Sequence, residues 1–149
     1  MNEVAISLPL AVSTAAFAAT IFIHAVGVRT TLQFVRHAKQ TGRVATGFWT
    51  DVAVVTAVIL LALVAHLVAI GVWAVLFLLC GEFRAFSVAF DHSAVNYTTL
   101  GYGDVTMTPS WKLFGPLEAA NGVLMFGLST ALIFAVIQNM LRTRVGHLD

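Results

Sequence analysis

One run of seven residues, Thr98-Thr99-Leu100-Gly101-Tyr102-Gly103-Asp104, carries the side chains and backbone freedom that ion chemistry needs. Two glycines flank a tyrosine, a threonine stands two positions before the first glycine, and an acidic residue closes the run. Consecutive main-chain carbonyls can face one way only where some residues leave the right-handed and extended regions, and glycine does so without a Cβ penalty. Four such strands around one axis would replace the water shell of a potassium ion with rings of carbonyl and threonine hydroxyl oxygens. Thr99 is the side-chain candidate for the innermost ring, and the Tyr102 ring is expected to brace the run from behind.

Positioning such a run requires rigid elements on both sides, and the composition says what they are. The chain has 149 residues, 59% hydrophobic and 10% charged, beyond the roughly 45–50% apolar content of a soluble domain. Three apolar stretches qualify as membrane spans, from about Leu8 to Val28, Val52 to Cys80 and Leu113 to Leu141. The first has Glu3 and no basic residue before it, and its apolar run ends beside Arg29, so it reads as a retained helix and not as a cleaved signal peptide. Six of the eight basic residues, Arg29, Arg36, Lys39, Arg43, Arg142 and Arg144, fall after span one or after span three. Three spans put both groups on one side, which the positive-inside rule makes cytoplasmic. The N-terminus and the glycine run are then outside, in a multi-pass protein of the cell membrane with a cytoplasmic C-terminus.

Between spans one and two, Leu32, Val35 and Ala38 recur at helical intervals, with Arg36, Lys39 and Arg43 on another side. This is either a weakly amphipathic helix in the headgroup layer or a continuation of span one. Asp51 is a candidate cap for the following helix. Between spans two and three, Ser87 is a candidate cap for a short helix that ends at Tyr97, where the glycine run begins. The negative end of that helix dipole would favour a cation. The organisation expected is an N-terminal helix and linker over 1–51, a pore module over 52–141 and a short tail over 142–149, with no room for a ligand-binding domain.

Thr99, Leu100, Gly101, Tyr102 and Gly103 fall on a five-residue signature, and Asp104 on the acidic residue that usually follows it. The run resembles the selectivity filter of the potassium channel superfamily, with leucine replacing the commoner valine. The resemblance extends over roughly Val52 to Met140 and implies an outer helix, a pore helix, a filter and an inner helix in that order. The implied fold is an all-α integral membrane protein with three transmembrane helices and a re-entrant pore helix, in which one chain joins three identical subunits in the lipid. It implies a passive potassium channel, with K+ as permeant ion held at Thr99, Leu100, Gly101 and Tyr102, no cofactor and no enzymatic step. Family members often carry an aromatic pair where this chain has Asp91 and His92, and some carry a carboxylate where it has Val95. Bracing is therefore expected from Phe90, Tyr97 and Trp111.

Support and outer-mouth positions are Thr98, Asp104, Asn96 and Glu118. Asn96 bonds either near the filter or within its own helix, and Glu118 either meets water or, with Asn121, contacts the filter's supporting shell. Gly127 and Gly122 are candidate gating hinges or close-packing positions, and Leu132, Phe134, Val136 and Ile137 lie where an apolar constriction could form. His24 and His66, both mid-span, read as neutral histidines bonded between helices or as pH-sensitive groups. No arginine ladder supports voltage sensing, and no basic block or zinc-type spacing supports nucleic acid binding. The alternatives are a non-conducting regulatory subunit and a component of a potassium-uptake transporter.

Overall fold

A computed structural model describes residues 4–41, 47–103 and 105–145. The chain forms four helices, α1 (Val4–Gln40), α2 (Phe48–Leu79), α3 (Phe86–Tyr97) and α4 (Phe114–Val145), with no strand among the described residues. Helices α1, α2 and α4 are each long and apolar enough to cross a membrane. With 12 residues, α3 reaches only about 18 Å at 1.5 Å per residue, too short for a hydrocarbon layer of about 30 Å. The all-α membrane architecture expected from the sequence is therefore present in a single chain.

Helix α1 runs unbroken through the stretch between the first two apolar runs, so the separate interfacial helix is replaced by a continuation of span one. Nothing between Val28 and Gln40 is a glycine or proline that would interrupt it. Its buried face reads Ser13, Ala16, Thr20, His24, Thr31, Val35 and Ala38, a three-and-four spacing of mostly small residues that lets it lie close to its neighbours. Leu32 is exposed and Thr31 takes its place on the buried face, while Val35 and Ala38 are buried as their spacing suggests. Gly42 and Arg43 lie outside the described residues.

Two helix starts also differ from expectation. Gly47, not Asp51, precedes α2; Asp51 sits one turn inside, where its carboxylate accepts a 2.8 Å bond from Arg144 of α4. Ala85 precedes α3 with no side-chain cap, which leaves Ser87 in the first turn. Pro116 falls in the first turn of α4, where its missing N–H is not required.

Packing divides the bundle into two ends. Around α3, Trp73, Phe77, Tyr97 and Phe114 are fully buried together with Ala69, Ala74 and Ala89. At the other end Val35 and Ala38 of α1, Val54 and Val58 of α2, and Val136 and Met140 of α4 form an aliphatic cluster. Val136 is thus committed to the interior of its own chain, while Phe134 is exposed.

Candidate functional site

The glycine run begins as the cap of α3. Thr98 closes the helix in right-handed geometry, and Thr99 follows at φ 61°. The Thr99 N–H donates to the Asn96 carbonyl at 2.9 Å, and the Leu100 N–H reaches back to Val95 at 2.9 Å. These two bonds make a Schellman motif, whose left-handed position is usually glycine. A β-branched residue there is a true outlier, at a cost on the order of 1–3 kcal/mol. Gly101 at φ 56° and Gly103 at φ 75° continue the pattern, whereas Leu100 and Tyr102 do not have positive φ. Positive φ at every second residue counters the alternation of an extended chain and can turn successive carbonyls to one side. Gly101 N–H also donates to Val95, at 3.3 Å, and the Thr98 hydroxyl donates to Ala94 at 2.7 Å. The run is anchored to α3 along its first half.

Behind α3 lies a polar shell drawn from all four helices. Ser93 is fully buried, with its hydroxyl 2.5 Å from a Glu118 carboxyl oxygen and 2.9 Å from the Ile70 carbonyl. One side chain thereby ties α3 to both α2 and α4. Glu118 is also fully buried; Asn96 interacts with the same carboxyl group, whose Oε2 has no well-formed hydrogen bond. Asn96 in addition bonds His92 at 2.9 Å, so it serves both its own helix and the contact with α4. Asn121 donates to the Thr20 hydroxyl of α1 at 2.9 Å and faces the Trp73 indole N–H at 3.4 Å. Buried polar groups of this kind must be paired to be tolerated, and here the pairs fix the register of the helices.

Close approach does the rest. A Cβ on Gly122 would stand 2.9 Å from the Tyr97 carbonyl carbon and nearer still to its oxygen, so α4 rests directly on the end of α3. Gly127 has open space around it. His92 supplies the missing aromatic packing, with its ring 5.0 Å from Phe83 and 5.7 Å from Phe77. Tyr97 is fully buried and Trp111 packs on Phe114 at 4.7 Å. The loops around the run are joined by Glu82, which accepts from the Thr108 N–H at 2.8 Å and its hydroxyl at 2.6 Å.

Leu100 and Tyr102 are 56% and 71% exposed. A cleft of about 280 Å³ lies beside them, lined in part by Asp91, His92, Asn96, Gly101, Gly103 and Lys112. Asp104 lies outside the described residues. Sequence reading passed over Ser93 and Thr20. The spacing Thr20, His24 in an otherwise apolar helix, in register with Ala16 and Thr31, was the available signal for the polar face of α1.

The family described as ion channel matches residues 65–139, half of the chain, from the middle of α2 through α3 and the glycine run to Asn139 in α4. No curated protein and no solved structure matches the chain. The matched segment contains the short helix, its strained cap and the two long helices that hold them, and α1 lies outside it. The chain belongs to this ion channel family, as a multi-pass membrane protein with a pore segment of the potassium-channel type and an additional N-terminal helix.

Proposed function

We propose that the chain is one of four identical subunits of a potassium-selective channel, with Thr99 to Gly103 as its filter. The observation that carries this reading is the alternation of positive φ at Thr99, Gly101 and Gly103, held by the cap of α3. A threonine kept in left-handed geometry costs stability, and an inward-facing hydroxyl and carbonyl at the ion's entry to the inner cavity give that cost a use. K+ is held by oxygens of Thr99, Leu100, Gly101 and Tyr102, each ring completed by three further copies. Exposed Leu100 and Tyr102 support this assembly, because they are the groups a neighbouring copy would cover. Thr98, Asn96 and Glu118 act as filter support, Asp104 holds the outer mouth, and Gly127 serves as the hinge of α4. The distribution of basic residues supports an N-terminus outside and a C-terminus in the cytoplasm.

The test is K+ efflux from liposomes that contain only the purified protein, with Na+ as comparison ion. Selective K+ flux is expected, and Gly101→Ala and Gly103→Ala abolish it while membrane insertion persists, since a methyl group penalises positive φ. Unchanged flux and selectivity in both variants would overturn the filter assignment.

A further inference from the structure

The filter and its shell leave one buried pair unused. His24 of α1 and His66 of α2 are 3% and 6% exposed. Nε2 of His24 lies 3.3 Å from Nδ1 of His66, and that same Nδ1 lies 3.2 Å from the hydroxyl of Tyr97. Tyr97 is the last residue of α3, and Phe126 of α4 stacks on the His66 ring at 4.3 Å. The pair therefore joins α1, which lies outside the matched pore segment, to the residue on which the filter's cap is built.

Counting hydrogens gives this chain of contacts a direction. Nδ1 of His24 faces the Thr20 carbonyl at 2.9 Å, and a carbonyl only accepts, so this nitrogen carries the hydrogen. In a neutral ring Nε2 of His24 is then a bare acceptor, and Nδ1 of His66 must be the donor, shared with the Tyr97 oxygen. All three contacts close with both rings neutral. An added proton does not fit the arrangement. On His24 it falls on Nε2, opposite the His66 N–H; on His66 it falls on Nε2, which has no hydrogen-bond partner among the described residues. A proton on His24 forces the His66 hydrogen over to its own Nε2, so that Nδ1 becomes an acceptor and the Tyr97 hydroxyl turns from acceptor to donor.

The groups facing the pair do not offset an added charge by direct contact. Helix α3 presents Tyr97, and its His92 and Asp91 face Phe83 and the cleft instead. Helix α4 presents Phe126, with Glu118 acting on Tyr97 and bonded to Ser93. Arg29 of α1 is exposed, and the acidic side chain of α2, Asp51, lies at the far end beside Arg144. We propose that the His24–His66 pair is a proton-sensitive brace through which α1 positions the filter, and that acidification reverses the hydrogen bond at Tyr97 and lowers conduction. This rests on the channel reading above.

Two measurements test it together. K+ flux from proteoliposomes is compared at about pH 8 and in steps down to about pH 4, a window wide enough for buried as well as exposed imidazoles. A several-fold fall is expected for the wild type, and a flux ratio near one for His24→Gln and for His66→Gln. Constant wild-type flux, or an equal fall in both variants, overturns the proposal. The second reading is the infrared C–O band of Tyr97 in the same membranes, assigned by its persistence in Tyr102→Phe because the chain has two tyrosines. It should shift over the same pH window as the flux, and the shift should vanish in His66→Gln. A shifting band with no K+ flux at any pH overturns the channel reading and keeps the proton-sensitive brace; selective flux with a fixed band overturns the brace and keeps the channel.

Discussion

Two helices in this chain end in the same hydrogen-bonded cap, one built on glycine and the other on threonine. At the end of α2, Gly81 takes φ 76°, its N–H reaches Leu78, and Glu82 reaches back to Phe77. At the end of α3, Thr99 takes φ 61°, its N–H reaches Asn96, and Leu100 reaches back to Val95. Glycine fits the left-handed position without strain, and no atom lies near enough to exclude a side chain at Gly81. The α2 end is thus what folding alone selects. The α3 end departs from it at Thr99, the threonine that opens the glycine run, and the surroundings compensate. Glu118, Ser93, Asn121 and Tyr97, all fully buried, lie behind it. A strained backbone persists only when its neighbours over-determine it, and that shell is the means.

The comparison is broken most severely by unseating α3. In Gly122→Ala the new methyl meets the Tyr97 backbone and no flexible side chain can yield. Destabilisation of about 3 kcal/mol or more is expected, at the upper end of overpacking effects. Size-exclusion profiles and thermal melts in detergent should show little folded protein. Gly127→Ala is the control, with open space at that position and a gain of up to about 1 kcal/mol in helix propensity. Equal melting temperatures for the two variants would mean that α4 does not rest on α3 as described.

Next in size is the polar tie. Ser93→Ala removes the hydroxyl shared by Ile70 and Glu118 and leaves buried acceptors without a partner, at about 1–3 kcal/mol. Glu118→Gln keeps the shape and a hydrogen-bonding group, so it should lose less than Glu118→Ala. The reverse order in thermal melts would show that the Ser93 contact is not what holds this carboxyl group in place.

How much of this was visible beforehand follows the physics of each feature. Spans and the glycine run were legible because hydropathy and backbone freedom are local properties of residue types. Glu118 and Asn121 one turn apart suggested a buried contact, yet Ser93 did not, because a serine in a short helix looks the same whether it faces solvent or a carboxyl group. The continuity of α1 stayed open against a separate interfacial helix, since charges at Arg36 and Lys39 resemble an interfacial pattern while nothing actually stops the helix. Leu32 gave up its expected place to Thr31 for a similar reason: which of two adjacent positions faces inward is decided by the partner surface of α2 and α4, which no local pattern contains. Thr99 was singled out for its hydroxyl. Its left-handed backbone could be known only once Asn96 was seen to accept from Thr99 itself and Val95 from Leu100.

A smaller change makes the two caps alike in the unfavourable direction. Gly81→Thr places a β-branched residue at φ 76° with no function to offset it. The expected loss is about 1–2 kcal/mol, the cost of left-handed geometry for an L-residue. Ion flux should be unchanged at equal amounts of folded protein. A neutral effect on the melting temperature would show that the α2 cap relaxes to accept a side chain, and that glycine is not required there.

The converse substitution, Thr99→Gly, has the smallest expected effect on stability and separates the two roles of the residue. Removing the side chain relieves the cost of left-handed geometry, about 1–2 kcal/mol. It also gives the unfolded chain more freedom, which takes back about 0.5–1 kcal/mol. The net change should therefore be a gain between about zero and about 1.5 kcal/mol, with the capping bonds from the N–H groups of residue 99 and Leu100 retained. Thr99→Ala makes the useful contrast, because it loses the hydroxyl while keeping a Cβ at positive φ. If the threonine is kept for its oxygen, both variants lose K+ over Na+ selectivity, but only the glycine variant melts higher than the alanine one. A glycine variant that melts lower than wild type would mean the Thr99 side chain stabilises the cap through contacts of its own, and the strain would then not be a cost maintained for ion binding.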